Sequence, residues 1–199
     1  MPNMLGQWPY LALARLTDEG HLLSLEGDVD GAITCHMAKH LGAGVGYITD
    51  WLEHTDDTVT LWHAGNAPAS LCCPPGSEYP PFLSPHFNLL KPLILDLVLK
   101  PDQPVTLARL WRCDGKYHMT AFQGRTVRPA RRLQGNTAVV QLPAPGLHDF
   151  FDTLLHAGLP HHVVLFAGRH QEAFRRLARM LRVNWVQPPA ALSAGDGPA

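Results

Sequence analysis

Apolar positions recur at helical spacing in some stretches and alternate in others, and these changes of period mark out the elements. Residues 8–24 open with an apolar run, Tyr10-Leu11-Ala12-Leu13-Ala14-Arg15-Leu16, that follows neither period cleanly. It is read as a short extended or helical segment closed by a turn at Asp18-Glu19-Gly20. Residues 21–25 read as a strand that delivers Glu26 at its end. Val29, Ile33, Met37 and Leu41 recur at helical spacing, so a helix is expected over 29–41, stopped by Gly42-Ala43-Gly44. Strands follow over 45–52, with Asp50 near its end, and over 58–63, with Asp56-Asp57 in the turn between them. Gly65-Asn66-Ala67-Pro68 breaks the pattern. The proline-rich stretch 71–91 has little periodicity and is expected to form an ordered loop over a site.

Beyond Pro92 the character changes. Segments 93–100, 105–113, 116–127 and 137–142 read as strands separated by Pro101-Asp102, Asp114-Gly115 and Gln134-Gly135-Asn136. Asp114-Gly115 between apolar runs is a hairpin signal. A helix over 147–157, a strand over 162–166 and a helix over 170–181, with Phe174, Leu177 and Leu181 on one face, complete the pattern. The fold class expected is α+β. A partial α/β unit over residues 1–90 is followed by an antiparallel, β-barrel-like domain with flanking helices over 91–187, and 188–199 form a flexible tail.

Composition narrows the setting. The chain has 199 residues, enough for one good core or one domain with an appendage, and 46% of them are hydrophobic. A formal net charge of -1 gives no electrostatic footprint for nucleic acid or an anionic membrane, so neither partner is expected. The cluster Arg125-Thr126-Val127-Arg128-Pro129-Ala130-Arg131-Arg132 is read as a solvated loop, the sharper alternative being contact with a phosphate or an acidic sugar. Cys35, Cys72, Cys73 and Cys113 have neither zinc-type nor disulfide-framework spacing. With no signal-peptide pattern at the start and no apolar stretch long enough to span a bilayer, a cytoplasmic protein with reduced thiols is expected.

The candidate chemistry is a set of acids and histidines among apolar residues: Glu26 in Leu25-Glu26-Gly27-Asp28, Asp50 in Ile48-Thr49-Asp50-Trp51, His63 in Leu61-Trp62-His63-Ala64-Gly65-Asn66-Ala67-Pro68, and His161-His162-Val163-Val164. Oxygen and imidazole donors of this kind suit a divalent metal acting on oxygen-rich substrates. Alone, Glu26 reads as a solvated turn acid, Asp28 or Asp30 as a helix N-cap, and His63 as a hydrogen-bonded core or rim residue. The spacing of Glu26 and Asp50 fits a strand-helix-strand unit with both strand ends at one edge. His161 and His162, adjacent on a strand, would point to opposite faces and could not easily share one metal. His36 and His40 lie four apart on the expected helix, a spacing that can bind zinc, but no glutamate base follows them in an HExxH pattern, so they are assigned a surface or packing role.

Taken together and in this order, these segments resemble the C-terminal portion of the L-fucose/L-arabinose isomerase family, in particular its fucose-isomerase-like branch. The resemblance implies a manganese-dependent aldose–ketose isomerase. Glu26 and Asp50 would be metal ligands and proton-transfer groups, His162 a third ligand and His63 a possible fourth. Trp62, Asn66 and His161 would contact the sugar, with Asn66 offering both a donor and an acceptor. The alternative is a non-catalytic carbohydrate-binding or subunit-interaction module derived from that family. Family members are longer, which implies a homo-oligomer or a partner N-terminal half. Relatives often carry Gly-Asp where this chain has Gly168-Arg169, which would put a basic residue near the metal edge.

Overall fold

A computed structural model describes residues 4, 6–7, 9–88, 90–91, 93–143 and 147–187. The tail expected over 188–199 lies outside the described residues. The elements in chain order are α1 (Tyr10–Asp18), α2 (Val29–His40), β1 (Gly46–His54), β2 (Thr58–His63), a 3-10 turn (Ala69–Leu71), β3 (Phe82–Ser84), β4 (Ile94–Val98), β5 (Pro104–Cys113), β6 (Lys116–Val127), β7 (Asn136–Gln141), α3 (Leu147–His156), β8 (His162–Ala167), α4 (Gln171–Leu181) and β9 (Asn184–Trp185). The fold is mixed α+β. No helix among the described residues is long and apolar enough to cross a membrane.

Among the described residues nine strands join one sheet in the order β3-β4-β7-β2-β1-β8-β5-β6-β9, and β7 also pairs with β6. The hydrogen-bonded path β1–β2–β7–β6–β5–β8 therefore returns to β1. Each step of that path is antiparallel, but β4 lies parallel to β7 and β9 parallel to β6, so the sheet as a whole is mixed. Strands from both sides of residue 90 share it: β1 pairs with β8, and β2 with β7.

The core divides into three clusters. The largest, with Trp51, Leu61, Leu107, Trp111, Phe122, Val140 and Leu165, is joined by Leu147, Phe150 and Leu154 of α3. A second, with Ile48, Leu110, Met119, Val164 and Phe166, takes Cys35 and Ala38 of α2 and Phe174 and Ala178 of α4. Burial of Phe174 alone contributes about 1.5–3 kcal/mol. A third gathers Tyr10, Leu25, Ala64 and Ile94 under α1.

Three expectations need correction. Residues 21–25 are not a strand: they pair with nothing in the sheet, and Leu22 is exposed. Glu26 therefore does not end a strand, and β1 runs antiparallel to both neighbours instead of following a strand-helix-strand crossover. On α2 the buried face is Gly31, Thr34, Cys35 and Ala38, whereas Val29 is 66% exposed. Small residues win there because the helix lies close over β5, close enough for the Leu110 N–H to donate to Thr34 Oγ1 at 3.0 Å. On α4 the turn-spaced pair Phe174 and Ala178 is buried, and Leu181 is exposed.

The loop 71–91 is ordered by the basic segment. Arg132 stacks its guanidinium 4.1 Å from the Phe82 ring centroid and donates to the carbonyls of Pro80 and Asp96, both at 2.7 Å. Arg128 pairs with Glu78, and the Tyr79 hydroxyl donates to the Pro129 carbonyl. These bonds account for Arg128 and Arg132 as braces, and they hold His86 and Phe87 where their rings reach Tyr10 and Trp62.

Candidate metal centre

The turn before α2 builds one side of the site. Glu26 and Gly27 both adopt left-handed backbone, at φ 58 and φ 72. For Glu26 this costs roughly 1–2 kcal/mol, a strain characteristic of functional positions. The turn is held by the Asp28 N–H donating to Leu25 O at 3.0 Å and the Ser24 hydroxyl to Asp28 O at 2.6 Å. Of the two N-cap candidates, Asp28 takes the role, accepting from the Gly31 N–H at 2.9 Å.

Asp28 does a second job that the cap reading missed. Its carboxylate takes a two-pronged hydrogen bond from Arg109 of β5, Nη1 to Oδ2 and Nη2 to Oδ1, each 2.6 Å. Its Oδ2 also lies 3.1 Å from His162 Nδ1. Both side chains of the Arg109–Asp28 pair are less than a tenth exposed. A Cβ at Gly31 would stand 2.8 Å from Arg109 Nη1 and closer still to Asp28, so only glycine leaves room for the clamp.

With Nδ1 directed at Asp28, His162 turns Nε2 inward. That atom is 3.0 Å from Asp50 Oδ1 and 3.8 Å from Glu26 Oε2, is buried, and makes no aligned hydrogen bond. A ring nitrogen fixed from behind by a carboxylate and aimed between two further carboxylates is one that could hold a metal ion. His63, 2% exposed, places Nε2 4.0 Å from Glu26 Oε1. Two ligand groups thus form around His162, one with Glu26 and His63 and one with Asp50 and His161, the donor atoms of each lying within 4.8 Å of one another. The donor set of carboxylate oxygen and imidazole nitrogen fits a divalent cation.

Charges in the site are shifted accordingly. Burial alone would raise Asp28, but hydrogen bonds from His162, Arg109 and the Gly31 N–H hold it well below the usual carboxylate range. Burial likewise opposes Asp50, whose pKa is nevertheless lowered by His162, His63 and His161. Burial keeps His63 below the ordinary imidazole value, so it is neutral. His162 is raised to about 9, first by its hydrogen bond to Asp28 and then by Asp50.

A pH dependence follows. Without metal, the charged His162 contributes stability in full below its ordinary pKa of 6.5 and loses that contribution as pH rises through about 9. Asp28 works in the other direction: its share is present above 3.8 and is lost as pH falls below that value. The thermal midpoint of metal-free protein is expected to fall between pH 6.5 and about 9, and His162→Asn to remove that fall. Metal affinity should rise over the same window, because a ligating Nε2 must first lose its proton. A flat affinity between those pH values would contradict the assignment of His162.

The structure brings Glu26, Asp50, His63 and His162 together, and His161 with them. His161 lies in the bend before β8, where strand alternation does not apply, so its Nε2 comes 3.6 Å from Asp50 Oδ1, on the same side as His162. The expectation that adjacent histidines diverge is corrected on that ground. Asn66 is buried, its amide nitrogen giving one N–H to Ile48 O at 3.0 Å and its Oδ1 shielded from solvent beside His63. Trp62 gives its indole N–H to Gln134 O and packs T-shaped with Phe87, ring centroids 5.1 Å apart. Arg169 stands past the far end of β8 from His162, about 17 Å along the strand at ~3.3 Å per residue, and not at the metal edge. His36 and His40 pack their rings on each other on the exposed face of α2.

Two residues that sequence reading missed flank the cluster. Tyr10 of α1 is 5% exposed, and its hydroxyl is pushed up to about 12 by burial and by the charges of Glu26 and Asp50. Its ring stacks on buried His86 at 5.5 Å.

Comparison with known proteins bears out the resemblance. Residues 99–187 match the family described as L-fucose isomerase, C-terminal domain. Over 186 residues the chain is 29% identical to a sulfoquinovose isomerase of Priestia megaterium, covering 92% of this chain and 40% of that protein. A sulfoquinovose isomerase of Alkalicoccus urumqiensis is 25% identical over 188 residues, covering 93% and 41%. Another, from a Clostridium species, is 26% identical over 176 residues, covering 86% and 38%. The chain is similar to the fucose-isomerase-like proteins in their C-terminal portion, and it spans about two fifths of the length of the curated relatives it matches.

Proposed function

We propose that this chain carries the metal-binding and proton-transfer side of an aldose–ketose isomerase, acting on a sugar of the class to which sulfoquinovose, a sulfonated aldose, belongs. The single observation that supports this most is His162, held from behind by Asp28 and facing Glu26 and Asp50. Glu26, Asp50 and His162 would hold a divalent ion, manganese in this reading, with His63 beside them. When bound, the ion supplies a Lewis acid that polarises the carbonyl and hydroxyl oxygens of the open-chain sugar.

The chain's own residues do the rest. Glu26, 59% exposed at its side chain, is the carboxylate most open to a substrate and is the base that takes the proton from C2 of the aldose. The carbonyl and hydroxyl oxygens exchange a proton through an enediol, and the same carboxylate returns its proton to C1 to give the ketose. Asp50, its pKa depressed by three imidazoles, stays ionised and holds His162 and His161 in place. His161, 71% exposed, and the Trp62 ring stand where sugar hydroxyls and C–H faces would meet them. Buried Tyr10 and His86 close the adjacent wall and exclude water.

The remaining walls come from the rest of a longer protein or from a second copy, in a cytosolic oligomer. Orientation of substrate is worth several orders of magnitude in rate, so the 199-residue chain alone is expected to turn over slowly. The test is proton NMR in D2O with Mn2+ and sulfoquinovose, L-fucose, D-arabinose or L-arabinose. Ketose formation shows turnover, and deuterium enters at C1 in so far as the exposed Glu26 carboxyl exchanges with solvent before it gives the proton back. Neither ketose nor deuterium from any of the four sugars, in a chain shown to bind Mn2+, would turn the reading toward a binding module.

A further inference from the structure

We propose a second transition-metal site, independent of the cluster around His162, made by His54 and His148. His54 is the last residue of β1, and His148 lies in the first turn of α3. His54 Nε2 and His148 Nδ1 stand 3.1 Å apart. Two nitrogens that each bind one ion at about 2.0–2.1 Å, at tetrahedral or cis-octahedral angles, are themselves about 3 Å apart. The two rings therefore already have the bite of a chelating pair.

The spacing is built by the fold. A β-bulge between Trp51 and Glu53 re-aims the end of β1. The His54 ring is held against Phe151 at 4.8 Å and against Trp51 at 6.4 Å. On the other side, α3 is anchored by buried Leu147 and Phe150, and the Leu147 N–H donates to Asp56 O at 3.2 Å. Asp56 also places Oδ1 3.5 Å from His148 Nε2. A carboxylate behind the second ring nitrogen leaves the first as the ligand, the outer-shell arrangement usual for metal-binding histidines.

Two imidazoles with water completing the shell select a borderline ion such as Zn2+, Ni2+ or Cu2+, whereas Mn2+ prefers the oxygen-rich cluster. The sites are separate: His54 is four residue steps along β1 from Asp50, about 13 Å of extended strand at ~3.3 Å per step.

The experiment uses the whole chain. Zn2+ is titrated calorimetrically into wild type, His148→Ala, His162→Ala and the double variant. Cu2+ is followed by the fluorescence component lost in Trp51→Phe, since Trp51 lies against His54. His148→Ala should bind one equivalent of Zn2+ fewer than wild type, and the double variant one fewer than His162→Ala. Quenching of Trp51 by Cu2+ should vanish in His148→Ala and His54→Ala. Asp56→Asn should keep the site and weaken it about tenfold. His148 is 66% exposed, so its removal leaves the core intact, which circular dichroism checks. Equal Zn2+ stoichiometry and equal Trp51 quenching in wild type and a folded His148→Ala would overturn the proposal and leave the contact as a hydrogen bond between two rings.

Discussion

Arg109→Ala is expected to destabilise the protein by about 3–5 kcal/mol, measured by urea denaturation at neutral pH without metal. The pair it breaks is buried on both sides, with two hydrogen bonds of 2.6 Å. Removing the guanidinium leaves the Asp28 carboxylate in a nearly closed site with only His162 and the Gly31 N–H as partners. Such a loss exceeds that of an exposed ion pair because the charge left behind cannot reach water. Arg109→Lys should recover only part of it, since an ammonium cannot bond both carboxylate oxygens in one plane. A loss under about 1 kcal/mol, the range of exposed pairs, would show that the clamp is open to solvent in solution. Gly31→Ala, which leaves both charges in place, should reproduce much of the effect by crowding them apart.

The second large effect is on chemistry. Glu26→Gln keeps the size of the side chain and removes both a metal-binding charge and the proposed base. General-base loss alone lowers turnover by about 10²–10⁴-fold. Whatever assembly gives measurable ketose should therefore fall to the background of the assay. Mn2+ should bind far more weakly to the purified variant, seen as a smaller rise of thermal midpoint with added Mn2+. Because Glu26 is largely exposed, the metal-free midpoint should hardly move. His36→Ala serves as the control and should change neither quantity. Equal Mn2+ affinity in wild type and Glu26→Gln would move the ion elsewhere.

Much of this arrangement was legible in the sequence. The strand-helix alternation, the hairpin at Asp114-Gly115 and every helix from α2 onward came from period and turn chemistry, because those signals are local. The acids and histidines of the site were each visible, but what joins them was not. Asp28 read as an N-cap and is one, and nothing local says that the same carboxylate also faces His162. Arg109 gave a usable signal: a lone charge inside Val105-Thr106-Leu107-Ala108-Arg109-Leu110-Trp111 must be paired if the strand is buried. Tyr10 gave none, since an aromatic ring in an apolar run reads as core, and His86 gave none, since it stands in a proline-rich loop without period. The expected strand over 21–25 failed because a short apolar run cannot show whether a partner strand is present.

The clamp also bears on how the chain reaches its native state. Asp28 meets Arg109 across 81 residues of sequence and His162 across 134. Loops of that length close late, after the local hairpins have formed, and contacts of such separation slow folding. Collapsed species that still lack the docked Glu26–Asp28 turn would hold Asp50 and His162 without Glu26, and so would bind a divalent ion poorly. Uptake of metal during refolding would then trail the growth of β structure, and its delay would time the docking of the turn that carries Glu26 and Asp28.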